Sequence, residues 1–113
     1  MDLKKLMELQ SEFDKHHMAS QPFFVPIASS NTADLEHLVV CLVGELGEFS
    51  NELKKAVRGD CTYEDARPRL EEELVDVFIY LMKIAGQAGF DLEKGYLEKL
   101  EKNKLRFSHW KID

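Results

Sequence analysis

Two short stretches set acids along the edge of what reads as an apolar helix stripe. In "CLVGELGEFSNELKKA", residues 41–56, Glu45, Glu48 and Glu52 follow the spacing i, i+3, i+7. In "EEELVDVFIYLM", residues 71–82, Glu73, Asp76 and Tyr80 repeat it. A helix turns by about 100° per residue, so each set shares a face. The rows border Leu42, Phe49 and Leu53 in one stretch and Val77, Leu81 and Ile84 in the other. If a short loop makes the two helices antiparallel neighbours, Glu45 and Glu48 oppose Glu73 and Asp76. Four carboxylates at close quarters either raise one another's pKa or recruit cations. With no His or Cys among them, the donors are hard oxygens that suit Mg²⁺ or Mn²⁺. Mg²⁺ takes phosphate oxygens readily, which points to a phosphate-bearing substrate.

A competing explanation comes from ordinary helix chemistry. One ExxE on a helix is commonly a solvated face, and Glu71, Glu72 and Glu101 are read that way. Two matched rows beside apolar stripes favour a site, but spacing alone leaves both readings open. A di-iron carboxylate bundle requires Glu-x-x-His on two helices. No helix here offers that pattern.

The elements that would carry these rows are helical. "LKKLMELQSEFDKHH" repeats apolar residues at Leu3, Leu6, Met7 and Phe13, as a first helix does. A loop with Pro22, Pro26 and a Ser/Asn/Thr cluster follows, long enough to suggest a functional role. Asn31 or Thr32 is a candidate cap for a second helix, expected from about Asp34 to Arg58 and ended by Gly59-Asp60. The third helix is expected from near Asp65 to near Gly89, with Pro68 in its first turn. Asp91 caps a fourth, "LEKGYLEKLEKNKLRF". No stretch alternates as a strand does. The expected class is all-α, a four-helix-bundle-like single domain spanning residues 1–113. On the fourth helix Lys99, Asn103 and Arg106 follow i, i+4, i+7. Such a row suits a polyphosphate, and it equally suits a solvated basic face favoured by the helix macrodipole.

Charge and composition narrow the partners. A net charge of -6 leaves no electrostatic footprint for a nucleic-acid polymer or an anionic membrane. Hydrophobic residues at 44% beside 32% charged ones place the chain among folded globular proteins rather than disordered ones. No apolar run is long enough to cross a bilayer, and the amphipathic start lacks the apolar core of a signal peptide. Cys41 and Cys61 show no zinc spacing and are read as free thiols in a reducing cytoplasm, Cys41 as a buried small hydrophobe. Leu74, Val75, Phe78 and Ile79 lie on several sides of the third helix, which predicts a homodimer at least.

Taken together, Glu45-Leu-Gly-Glu48, a spacer and Glu73-Leu-Val-Asp76 resemble the ExxE/ExxD pattern of the MazG-like nucleoside triphosphate pyrophosphohydrolases. "LVGELGEFSNELKK", "LEEELVDVFIYLMKIA" and "KLEKNKLRF" are similar to that family's surrounding text, over about residues 35–107. Tyr80, four residues after Asp76, resembles the small dCTP-pyrophosphatase-like branch. The resemblance implies an all-α fold that is dimeric or tetrameric. It implies Mg²⁺, with Mn²⁺ as the substitute, held by Glu45, Glu48, Glu73 and Asp76 as the catalytic set. It implies hydrolysis of a (deoxy)nucleoside triphosphate to the monophosphate and pyrophosphate, a nucleotide-pool house-cleaning reaction. Tyr80, Lys99, Asn103 and Arg106 would then contact phosphates. Phe13, His16, His17, Phe23 and Phe24 are candidates for a base pocket, and His109 and Trp110 for a subunit interface. The alternatives are a non-catalytic helical oligomerisation or regulatory module of the same fold, and a related all-α pyrophosphohydrolase for another nucleotide.

Overall fold

A computed structural model describes residues 1–112 and contains four α-helices: α1 (Leu3–Lys15), α2 (Thr32–Val57), α3 (Tyr63–Ala88) and α4 (Leu92–Arg106). Single 3₁₀ turns at Ser29–Asn31 and Ser108–Trp110 precede α2 and follow α4. Among the described residues there is no β-strand, only an isolated bridge between Met18 and Pro22. The all-α class expected from the periodicity is the class observed.

Local chemistry sets the helix ends. Asp2, Thr62 and Asp91 each accept a hydrogen bond from a first-turn backbone N–H of α1, α3 and α4. Gly59 (φ 84°) and Gly89 (φ 75°) end α2 and α3 in the left-handed region that a side chain disfavours. With Thr62 as its cap, α3 starts at Tyr63, two residues before the expected Asp65. Pro68 therefore sits beyond the first turn, where its missing N–H removes one bond of the helical ladder. Asn31 stands at the N-cap position of α2, but its side chain makes no capping hydrogen bond there. Its side chain is spent on the preceding turn, accepting from Ala28 N (2.6 Å) and donating to Pro26 O (3.0 Å).

The turn at 58–62 folds α3 back along α2, and α1 lies across α3. Leu38, Ala66, Leu70, Met82 and Ala85 form the buried apolar core. Gly86 allows the α1 approach: a Cβ there would meet Ser11 Oγ at 2.9 Å. One residue ties down the loop between α1 and α2. Gln87 donates from Nε2 to Phe23 O (3.0 Å), accepts from Val25 N at Oε1 (3.2 Å), and accepts from Ile27 N at its backbone oxygen (2.8 Å).

The fourth helix stands apart, forming no extended interface with α1, α2 or α3 of the same chain. No α4 residue is buried. The radius of gyration is 17.5 Å, against about 13 Å for a compact domain of this length. The exposed surface is 8734 Å², where a folded monomer of this size exposes about 6,400 Å². Leu74 and Val75 of α3 are 51% and 52% exposed, and Val40, Val43 and Leu46 of α2 are exposed as well.

Candidate active site

The α2–α3 hairpin brings the two acid rows face to face. Glu45, Glu73 and Asp76 are half-buried, and one carboxylate oxygen from each lies within 4.8 Å of the others. Glu48 is exposed and falls outside this trio. It still acts on Glu73. Partial burial pushes the Glu73 carboxyl above its ordinary range, and the charges of Asp76, Glu48, Glu45 and Glu72 push it further the same way. The repulsion anticipated for the rows is therefore present in the folded chain. The donor set suits a divalent cation in kind: the atoms are all hard oxygens, gathered within 4.8 Å of one another.

Glu52, the last acid of the α2 row, has other work. It accepts from Arg69 Nε (2.8 Å) and Lys55 Nζ (3.0 Å), and these bonds, Arg69's first, hold its carboxyl below the usual range. Tyr80 sits one turn beyond Asp76. Burial raises its phenol pKa, and Cys41, Glu45 and Asp14 add to the shift, so it stays a protonated hydrogen-bond donor. Cys41 is half-buried rather than a core residue, because its sulfur faces Tyr80 and His37 (3.7 Å to Nε2) instead of the core. Both cysteines are free thiols.

Within one chain the structure does not bring Lys99, Asn103 and Arg106 to the acids, since α4 does not pack along α2 or α3. Lys99 is exposed. Asn103 lines a groove with Phe107 and Trp110, and the Arg106 guanidinium stands 5.0 Å over the Phe107 ring. Of the aromatic and His residues near α1, Phe13, His17 and Phe23 form a stack, while His16 bonds to Glu12 O and Phe24 faces the Lys15 ammonium. The Phe13 and His17 rings are 4.0 Å apart, and His17 and Phe23 are 5.8 Å apart.

Sequence reasoning missed a feature beside the site. A cavity of about 260 Å³ opens between the 19–23 loop, α2 and α3, lined by Phe23, His37, Cys41, Tyr80 and Lys83 among others. Lys83 Nζ donates to Asp14 Oδ1 (3.1 Å), and Asp14 is only 2% exposed. The sequence does carry a signal for it. His37 and Cys41 continue the Glu45 face of α2 upstream at four-residue steps, and Lys83 continues the Asp76–Tyr80 face of α3.

These features define a class: an all-α protein with a cation-ready acidic cleft between two antiparallel helices and a cavity at one end of it. The family model for the MazG nucleotide pyrophosphohydrolase domain matches residues 33–110, and the chain belongs to that family. It is similar to dCTP pyrophosphatase 1 of Homo sapiens, 35% identical over 75 residues that make up 63% of this chain and 44% of the relative. It is similar also to dCTP pyrophosphatase 1 of Rattus norvegicus, 33% identical over 75 residues with the same shares. The chain thus spans less than half the length of these curated relatives. No solved structure matches it. Among the described residues no helix is long and apolar enough to cross a membrane.

Proposed function

We propose that the chain, acting as one domain over residues 1–113, hydrolyses a (deoxy)nucleoside triphosphate to the monophosphate and pyrophosphate with Mg²⁺ or Mn²⁺. The observation that carries this reading is the convergence of Glu45, Glu73 and Asp76 oxygens within 4.8 Å of one another in a chain of this family. The named activity of the relatives supports the reaction class and makes dCTP a natural first substrate to try.

In this reading Glu45, Glu73 and Asp76 hold the cation, and Glu48 completes the acidic set. A bound divalent cation supplies charge neutralisation to the phosphate oxygens and the leaving pyrophosphate. Glu48, lying outside the trio, orients a water for attack on the α-phosphorus and takes its proton. The bond from that phosphorus to the bridging oxygen breaks, and pyrophosphate leaves. Tyr80, held as a phenol, donates to a phosphate oxygen. Lys99, Asn103 and Arg106 grip the phosphate chain once a second copy brings an α4 helix to the cleft. That completion makes a homo-oligomer, dimer or tetramer, part of the proposal.

The test is pyrophosphate release over the canonical and several modified nucleoside triphosphates, with Mg²⁺ and in excess EDTA. Asp76→Asn is expected to abolish release while leaving the helical circular dichroism signal intact. Full activity in that variant or in EDTA removes the metal mechanism. Absence of release with every nucleotide favours the non-catalytic module instead.

A further inference from the structure

The cavity beside the acidic cleft contains a feature that the hydrolysis does not use. Lys83 Nζ is bonded to the buried Asp14 carboxylate at 3.1 Å, and the Lys83 side chain is only 12% exposed. Asp14 is itself fixed by Gln10 Nε2, which donates to it at 3.0 Å. The ammonium also stands over two aromatic faces, Phe23 at 5.2 Å and Tyr80 at 5.7 Å. A buried charge pair is expensive to desolvate, and its contribution to stability alone is a weak reason to keep it. This one opens onto a cavity.

The position is specific. Lys83 follows Asp76 by two turns of α3, about 10 Å along the helix axis. A nucleotide whose phosphates lie at the carboxylates would extend its sugar and base by a comparable reach. The cavity, about 260 Å³, lies just below the size range of drug-sized pockets and suits a single small ring system. Its walls include Phe23 and Tyr80, which suit a planar ring. The charge of Lys83 is already matched by Asp14, which makes it a poor receptor for a phosphate and a good one for a neutral acceptor. An ammonium donates hydrogen bonds and accepts none. A ring carbonyl oxygen satisfies its remaining protons, whereas an exocyclic amino group at that point opposes donor to donor. The 19–23 loop and Asp14 lie outside the residues matched by the family model, whereas His37, Cys41, Tyr80 and Lys83 lie within them, so the cavity joins the matched helices to the segment before them.

We infer that Lys83, oriented by Asp14, is a specificity-determining residue that reads a carbonyl oxygen of the substrate's nucleobase. The inference rests on the nucleotide reading above. It selects oxo-bases (uracil, thymine, cytosine through its 2-oxo group, hypoxanthine or guanine) against adenine.

The experiment measures binding, so that it stands apart from turnover. Dissociation constants are determined in Mg²⁺ for non-hydrolysable α,β-imido triphosphates carrying uracil, cytosine, hypoxanthine or adenine, and for the abasic deoxyribose triphosphate. The wild-type protein is compared with Lys83→Arg and with the double variant Asp14→Asn/Lys83→Met, which leaves no buried charge unpaired. Circular dichroism and melting check that each is folded. In wild type the oxo-bases are expected to bind more tightly than adenine. The double variant is expected to weaken them by roughly ten- to hundredfold, the worth of a hydrogen bond to a charged donor, while adenine and the abasic compound change little. Lys83→Arg, which keeps a donor, retains the preference. An equal loss across all compounds, abasic included, assigns Lys83 to the phosphates and overturns the inference. No loss on any compound, or no oxo preference in wild type, overturns it too. A protein that binds with the oxo preference but releases no pyrophosphate leaves this inference standing and removes the catalytic reading.

Discussion

At the residue scale, neighbouring acids on the same two helices are held in opposite states. Glu52 is pulled down by Arg69 and Lys55, while Glu73 is pushed up by burial and by the acids around it. The two make opposite contributions to stability. A carboxyl depressed on folding stabilises above its unfolded pKa, and that contribution disappears as pH falls through the folded value. A carboxyl raised on folding penalises the folded state at neutral pH, and acid relieves the penalty. In EDTA, Glu52→Gln is therefore expected to lower the melting temperature at pH 7, with the gap to wild type closing below the carboxylate range. Glu73→Gln is expected to raise it at pH 7, and that gap closes on acidification as well. Melting curves of both variants from neutral to acid pH check the two signs, and added Mg²⁺ should reverse the Glu73 ranking. The sequence offered Glu45, Glu48, Glu73 and Asp76 as one candidate set because residues at i+3 share a face on any helix, and the fold gathers oxygens of three of the four. It could not show that Glu52 would be claimed by Arg69, seventeen residues on, because that ion pair depends on how α2 and α3 are rotated against each other.

At the scale of elements, the helix ends were legible and the packing of the fourth helix was not. Gly59, Gly89 and Asp91 stop and start helices through backbone chemistry carried by single residues. Pro68 was misplaced because Thr62, rather than a residue nearer Asp65, supplies the cap. The position of α4 depends on what covers Tyr96, Leu97 and Leu100, all exposed in the single chain. If α4 of a neighbouring copy grips the phosphates, Lys99→Ala should lower kcat/KM by about 1.5–3 kcal/mol, the range for hydrogen bonds to charged groups. The factor should be the same for every accepted nucleotide, because a phosphate contact does not sense the base. Steady-state kinetics on two nucleotides measure this. An unchanged value on both returns Lys99 to the solvated face, and a loss on only one moves α4 to the base. The contrast with Lys83, where the loss depends on the base, separates the two ends of the substrate.

At the scale of the whole molecule, the chain exposes roughly 2,300 Å² more than a folded monomer of its size would. Half-exposed Leu74 and Val75 contribute to that excess, and they are among the residues whose spread around α3 predicted association from sequence. An excess of this size per chain is in the range of obligate interfaces. Light scattering at micromolar concentration is expected to report a dimer or larger, and a monomer there removes both the assembly and the proposed role of α4. The α1–α2 loop has a different consequence, one of timing. Most of the α2–α3 pairing closes across a short turn, whereas Gln87 reaches Phe23 and Val25 across 64 and 62 residues. Local pairings form quickly and distant ones late, since the entropy of closing the intervening chain must be met first. The acidic cleft is thus expected to assemble early in folding and the cavity under the 19–23 loop last. Three hydrogen bonds converge on that one glutamine, so hydrogen exchange is expected to show Val25 and Ile27 losing amide protection together, in openings that leave the α2–α3 amides protected.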